Sequence, residues 1–205
     1  MDHTTKFLSQ VRCIPMAKAL SVHQVPLLAQ ALRESGLKVV NVSQQIGEGR
    51  LLVHELAKHY PDILVGGGNV QSVEQAEKAI EAGAKFIFSP LFDDEMVKLC
   101  QQHRVPIFPV TTDSELCKRM HLDVLGFYPF EKLGGFPVID RMGSEHNLKF
   151  IVAGHILEEE MASYLDNPHI LAMTGSWMLD KSAIAANNWI AITEALKRAR
   201  KWSLE

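Results

Sequence analysis

The 205-residue chain predicts an α/β fold, a (β/α)8 TIM barrel occupying residues 1–205 as a single domain. Three observations carry that expectation. Eight short apolar runs, rich in β-branched and aromatic residues, alternate with amphipathic segments. Successive runs begin about 20 to 27 residues apart, room for one strand, one helix and two short loops. No Pro-, Ser- or Gly-rich linker interrupts the series, and a barrel of this length needs no second domain. A doubly wound open sheet has the same periodicity and is the competing arrangement.

The runs span residues 11–16, 38–43, 63–65, 86–88, 105–110, 124–128, 150–153 and 170–173. Between the first two, residues 22–34 place Val25, Leu28, Ala29 and Leu32 on one face, and Gly36 ends the helix. After the third run, Ser72 caps a helix and stands at capping-box spacing from Gln75, with Gly83 as the stop. The last helix is expected over 183–202. Its basic end, Lys197-Arg198-Ala199-Arg200-Lys201, suits a helix C-terminus and reads as a solvated face.

The composition excludes several classes. Hydrophobic residues make up 47% and charged residues 22%, as in ordinary globular domains. A net charge of −3 gives no electrostatic reason to expect nucleic acid or an anionic membrane as partner. No apolar run is long enough to cross a bilayer, and the first residues lack a secretory pattern. Cys13, Cys100 and Cys117 have no C-x-x-C spacing and read as free thiols in a reducing cytoplasm. Cys117 as a nucleophile would need a base that the sequence does not supply.

In such a barrel the chemistry sits just beyond the C-terminal end of each strand. Those segments hold Asn41, Ser43 and Gln45, then Gly66-Gly67-Gly68-Asn69, Ser89-Pro90, Thr111-Thr112, Tyr128-Pro129, Gly154-His155 and Thr174-Gly175-Ser176. The rim is polar and mostly neutral. It has no evident carboxylate pair and no His/Asp/Glu cluster with metal-ligand spacing, so neither a metal nor a cofactor is implied. Glycine and hydroxyl residues after the seventh and eighth runs suit a phosphate, because backbone N–H groups can approach an anion closely there. The candidate ligand- or phosphate-binding set is Gly154, His155, Thr174, Gly175, Ser176, Asn69, Ser89 and Thr112.

Six collinear segments carry a family resemblance. Val65-Gly-Gly-Gly68-Asn-Val resembles V-G-A-G-T-V, Ala82-Gly-Ala-Lys-Phe-Ile-Phe-Ser-Pro90 resembles A-G-A-x-F-x-x-S-P, and Ile107-Phe-Pro109-Val-Thr-Thr112-Asp-Ser-Glu115 resembles I-P-G-x-x-T-x-x-E. The stretch Leu125-Gly-Phe-Tyr-Pro-Phe-Glu-Lys-Leu-Gly-Gly135 is similar to K-F-F-P-A…G-G, Phe150-Ile-Val-Ala-Gly-His-Ile156 to F-x-P-T-G-G-I, and Met173-Thr-Gly-Ser-Trp177 to the closing G-G-S-W. These are patterns of the 2-keto-3-deoxy-6-phosphogluconate (KDPG) / 4-hydroxy-2-oxoglutarate (KHG) aldolases. The resemblance implies a class I aldolase barrel, a homotrimer, and a small phosphorylated or keto-acid ligand, with retro-aldol cleavage of a 2-keto-3-deoxy (phospho)sugar acid to pyruvate as the family's reaction.

The same resemblance implies a degenerate site. Gly126 stands where the family has its Schiff-base lysine, and glycine offers no amine. Asn41 stands at the catalytic glutamate, and Gln45 at an arginine that holds the substrate carboxylate. Asn69 and His155 depart from the pattern at Thr and Gly. Gly154, Gly175 and Ser176 keep the phosphate positions. The expected result is a retained pocket with absent or weak aldolase activity. Two alternatives remain open: a remodelled lyase or isomerase using Lys18, Lys132 or His155, and a non-catalytic ligand-sensing or assembly protein. Lys85 and Lys149 precede their strands and belong at the opposite end of the barrel.

Overall fold

The computed structural model describes residues 1–154 and 156–204, so His155 lies outside the described residues. The chain opens on an unanticipated helix, α1 (His3–Val11). Asp2 caps it, its carboxylate accepting from the Thr5 amide at 2.9 Å. Arg12 ends it with φ 59°, so the expected strand from residue 11 begins instead at Cys13. Leu8 and Val11 are three apart on the buried face of α1; in sequence Val11 reads as part of the following strand because both elements present apolar side chains to the core.

Eight strand–helix units follow. They comprise β1 (Cys13–Ala17), α2 (Val25–Ser35), β2 (Val39–Ser43), α3 (Gly49–His59), β3 (Leu64–Gly68), α4 (Val73–Glu81), β4 (Ile87–Ser89) and α5 (Asp94–Gln102). The second half has β5 (Ile107–Pro109), α6 (Ser114–Arg119), β6 (Val124–Phe127), α7 (Gly135–His146), β7 (Lys149–Ala153), α8 (Met161–Leu165), β8 (Ile170–Gly175), α9 (Lys181–Ala185) and α10 (Trp189–Arg200). All strand pairs are parallel, in the order β5-β4-β3-β2-β1-β8-β7-β6. The two ends meet through the bridge Val110–Gly126, which closes the ring and removes the open-sheet alternative.

Local signals account for most boundaries. Gly36 terminates α2 at φ 75°, as expected. Ser72 accepts from the Gln75 amide at 3.2 Å, but the box stays half-made. The Gln75 side chain turns instead to the Gln71 amide and to Gln45, each at 2.9 Å. The single helix expected over 183–202 is two, α9 and α10. Asn187, at φ 54°, breaks it, and Asn188 caps α10 by accepting from the Ala191 amide. The basic end is partly spent on ion pairs, Lys197 with Glu194 and Arg198 with Glu158.

The largest correction concerns Gly66, Gly67 and Gly68, expected in a loop after the third strand. They lie inside β3, in register with Asn41, Val42 and Ser43. A Cβ on Gly66 would stand 2.2 Å from the Phe86 ring, and one on Gly68 would stand 2.5 Å from Asn41 Oδ1. Side chains from β2 and from the residue just before β4 therefore fill the interior that β3 leaves empty.

Candidate active site

Beyond the C-terminal strand ends, a cavity of about 200 Å3 opens at the barrel mouth. Five expected residues meet there: Asn69, Gly154, Thr174, Gly175 and Ser176. Gly154 follows β7 with φ 153°, a conformation that favours glycine, and among the described residues a Cβ there would meet only the Tyr128 ring, at 3.9 Å. Lys18, just past β1, is the charged residue in this lining, and no carboxylate joins it among the described residues. Its side chain is exposed to solvent. The site is therefore a neutral hydroxyl- and glycine-rich cup with one ammonium at its edge.

Other expected residues are placed elsewhere. The Ser89 hydroxyl turns onto its own loop, donating to the Leu91 carbonyl at 2.8 Å, and is fully buried. Thr112 and Lys132 are exposed and do not line the cavity. Gln45 is also outside it, its amide donating to the Asn69 carbonyl and to Gln75, both at 2.9 Å. That bond ties the loop after β2 to the loop that carries Asn69. Lys85 and Lys149 line clefts at the opposite, N-terminal end of the barrel, as their positions predict. One of those clefts is larger, about 710 Å3. It lies away from the strand ends where barrel chemistry gathers.

Met16 and Phe88 are among the lining residues that escaped the sequence reading. Both sit at inward-facing register positions near a strand end. Counting back by two from Lys18 and Pro90 would have found them. Phe88 decides the centre of the barrel. A Cβ on Gly126 would stand 2.8 Å from Phe88 Cζ and 2.8 Å from the Phe108 carbonyl oxygen. The phenyl ring thus occupies the space into which any side chain at 126 would start.

Asn41 is the other unusual feature of the interior. It is 1% exposed, and neither Nδ2 nor Oδ1 has a hydrogen-bond partner among the described residues. Thr174, 2% exposed, likewise leaves its hydroxyl unpartnered. A buried polar group without a partner costs roughly 1–3 kcal/mol. Asn41 pairs with Met16 across β1–β2, and Thr174 pairs with Ile14 across β1–β8. The two orphaned side chains thus flank β1, with the flexible Met16 thioether beside the amide and in the cavity wall.

The cysteines take no part. Burial pushes the Cys13 and Cys100 thiols up to about 12. Burial, with Asp113 nearby, pushes Cys117 up to about 11. No group of three or more His, Cys, Asp or Glu residues among the described residues could hold a metal ion.

Comparison with known proteins places this barrel in a family. Residues 5–195 match the family described as "Aldolase: KDPG and KHG aldolase". The chain belongs to the KDPG and KHG aldolase family. It is 32% identical to a 2-dehydro-3-deoxy-phosphogluconate aldolase of Treponema pallidum over 190 residues, covering 91% of this chain and 90% of that one. Among solved structures, it resembles a KDPG aldolase from Legionella pneumophila, captured with pyruvate as a covalent carbinolamine, at TM-score 0.89 and 26% identity, over 97% of this chain and 98% of that one. It also resembles the aldolase of Zymomonas mobilis ZM4 with 3-phosphoglycerate, at TM-score 0.84 and 25% identity, over 97% and 96%. Family membership and a TIM-barrel fold thus stand together.

Proposed function

We propose that this family member binds a small phosphorylated or keto-acid ligand at its barrel mouth without forming a Schiff base with it. The observation that carries the reading is the Phe88 ring lying against Gly126. The resemblance puts the family's lysine at position 126, where this chain has neither an amine nor room for one. A carbinolamine like that of the Legionella relative needs an amine nucleophile. Asn41, a neutral amide, also has no carboxylate with which to exchange a proton. Anion binding finds support in Lys18, Gly154, Gly175 and Ser176 around one cavity with no opposing carboxylate among the described residues.

The deciding experiment is incubation with pyruvate or KDPG, followed by borohydride and intact mass spectrometry. The expected spectrum is that of the unmodified chain. A stable adduct on any lysine would sink the proposal. A second reading, a remodelled lyase, draws on one observation: Lys18 reaches the cavity lining whereas Lys132 does not. Its adduct would map to Lys18. Against it, Lys18 is exposed, whereas amine nucleophiles are usually activated by burial. Lys18 is therefore read as the ligand's counter-charge. The family resemblance further leads us to propose a homotrimer, to be checked by light scattering on the purified chain. A cytoplasmic setting suits the three free thiols.

A further inference from the structure

We propose that Asn41 and Thr174 form a subsite that reads a hydroxyl group, so that the preferred ligand is a phosphorylated 2-hydroxy acid and not the corresponding 2-keto acid. The inference rests on the non-covalent anion pocket proposed above and adds what its deep end selects. Its basis is the set of orphaned atoms: one donor and one acceptor on Asn41, and a hydroxyl on Thr174 that can serve as either.

The chemistry of those atoms discriminates among ligand groups. A keto oxygen or a carboxylate only accepts, so it can satisfy Asn41 Nδ2 and leaves Oδ1 unpaired. An ammonium only donates and leaves Nδ2 unpaired. A hydroxyl donates and accepts, and so completes the amide while its lone pairs remain open to the Thr174 hydroxyl. An apolar side chain at either position would avoid the cost of an unpaired buried polar group, so keeping both polar has a functional explanation.

Access and placement fit the same role. Thr174 lines the cavity alongside Met16, the register partner of Asn41. Met16 is unbranched and adaptable, so the cavity wall beside the strand of Asn41 can yield to a ligand. The hydroxyl of Thr174 also stands in register with Ala153 on β7. In the family patterns quoted above, the residue matching Ala153 is a threonine and the one matching Thr174 is a glycine. In this chain the hydroxyl sits one strand over, on the side nearer β1 and Asn41. Lys18, Gly154 and Ser176 then hold the anionic groups of the same molecule.

The test uses two probes that differ only at C2, 3-phosphoglycerate with a hydroxyl and 3-phosphohydroxypyruvate with a keto group. Isothermal titration should show the hydroxy acid binding about tenfold tighter to the wild-type chain, roughly one hydrogen bond's worth. Asn41→Leu should abolish that preference, lowering hydroxy-acid affinity about tenfold more than keto-acid affinity. Thr174→Val, a change of similar shape, should reduce the preference and carries the test if Asn41→Leu does not fold. Equal affinities, a tighter keto acid, or a preference that survives both substitutions would overturn the hydroxyl subsite while the anion pocket stands. If neither probe nor inorganic phosphate binds, the pocket reading falls as well.

Discussion

Phe88 stands where a side chain on residue 126 would begin: the ring's Cζ lies 2.8 Å from the Cβ position of Gly126. Lacking a lysine and lacking space for one are different conditions, and position 126 meets both. The second is a matter of packing between β4 and β6, so it responds to substitutions on either strand.

Gly126→Lys alone is therefore expected to leave imine formation absent and to lower stability by about 1–3 kcal/mol, the usual cost of overpacking a filled interior. Urea denaturation measures the second effect, and borohydride trapping with pyruvate the first. Combining Gly126→Lys with Phe88→Ala and Asn41→Glu should yield a trappable adduct. Trapping by the single substitution would show that the ring yields more easily than its contacts suggest.

The glycines of β3 should be intolerant in a position-specific way. Gly66→Ala meets the Phe86 ring at 2.2 Å and Gly68→Ala meets Asn41 at 2.5 Å. Each should cost about 1–3 kcal/mol in denaturant midpoint measurements. Gly47→Ala is the control, with no atom within 4 Å of the new Cβ. It should change stability by no more than about 1 kcal/mol. Comparable losses at all three positions would contradict the packing described.

Lys18→Gln should weaken phosphate binding about tenfold at low salt, with the difference shrinking as ionic strength rises, because an exposed charge is screened. Titration calorimetry at two salt concentrations checks this. An unchanged affinity would remove Lys18 from the site.

The three thiols should be silent toward a thiol-selective reagent at pH 8 in the folded chain. Burial holds them protonated well above that pH, at about 12, 12 and 11 for Cys13, Cys100 and Cys117. The reactive thiolate is correspondingly scarce. Because folding raises these values above the usual 9.0, the contribution to stability is present below about pH 9 and is lost as pH climbs through 11 to 12. Rapid labelling of any one cysteine at pH 8 without unfolding would disprove the protection.

Much of this was legible in the sequence because the barrel repeats one physical unit. Apolar runs, Gly36 and Ser72 fixed the strands and several helix ends through rules that act within a few residues. What escaped were relationships between distant strands. Gly66 and Gly68 look like a loop until Phe86 and Asn41 are seen in the space beside them, and nothing within β3 announces that neighbour. Ser89 looked like a ligand contact, yet its hydroxyl is spent on Leu91. Thr174 was expected at the site, but the absence of a partner for its hydroxyl depends on three-dimensional packing. The helix α1 was lost because Val11 serves an apolar face that continues directly into β1.

The closure of the ring at Val110 and Gly126 also bears on how the molecule opens. Strands β2 and β3 share a register of five residue pairs, whereas β4 and β5 are three residues each and β5 joins β6 at that bridge. Amide protons should therefore exchange with solvent first along the β5–β6 seam and last in β2, with the barrel unzipping from that seam toward the opposite wall. Gly126 would then serve as the clasp of the cylinder.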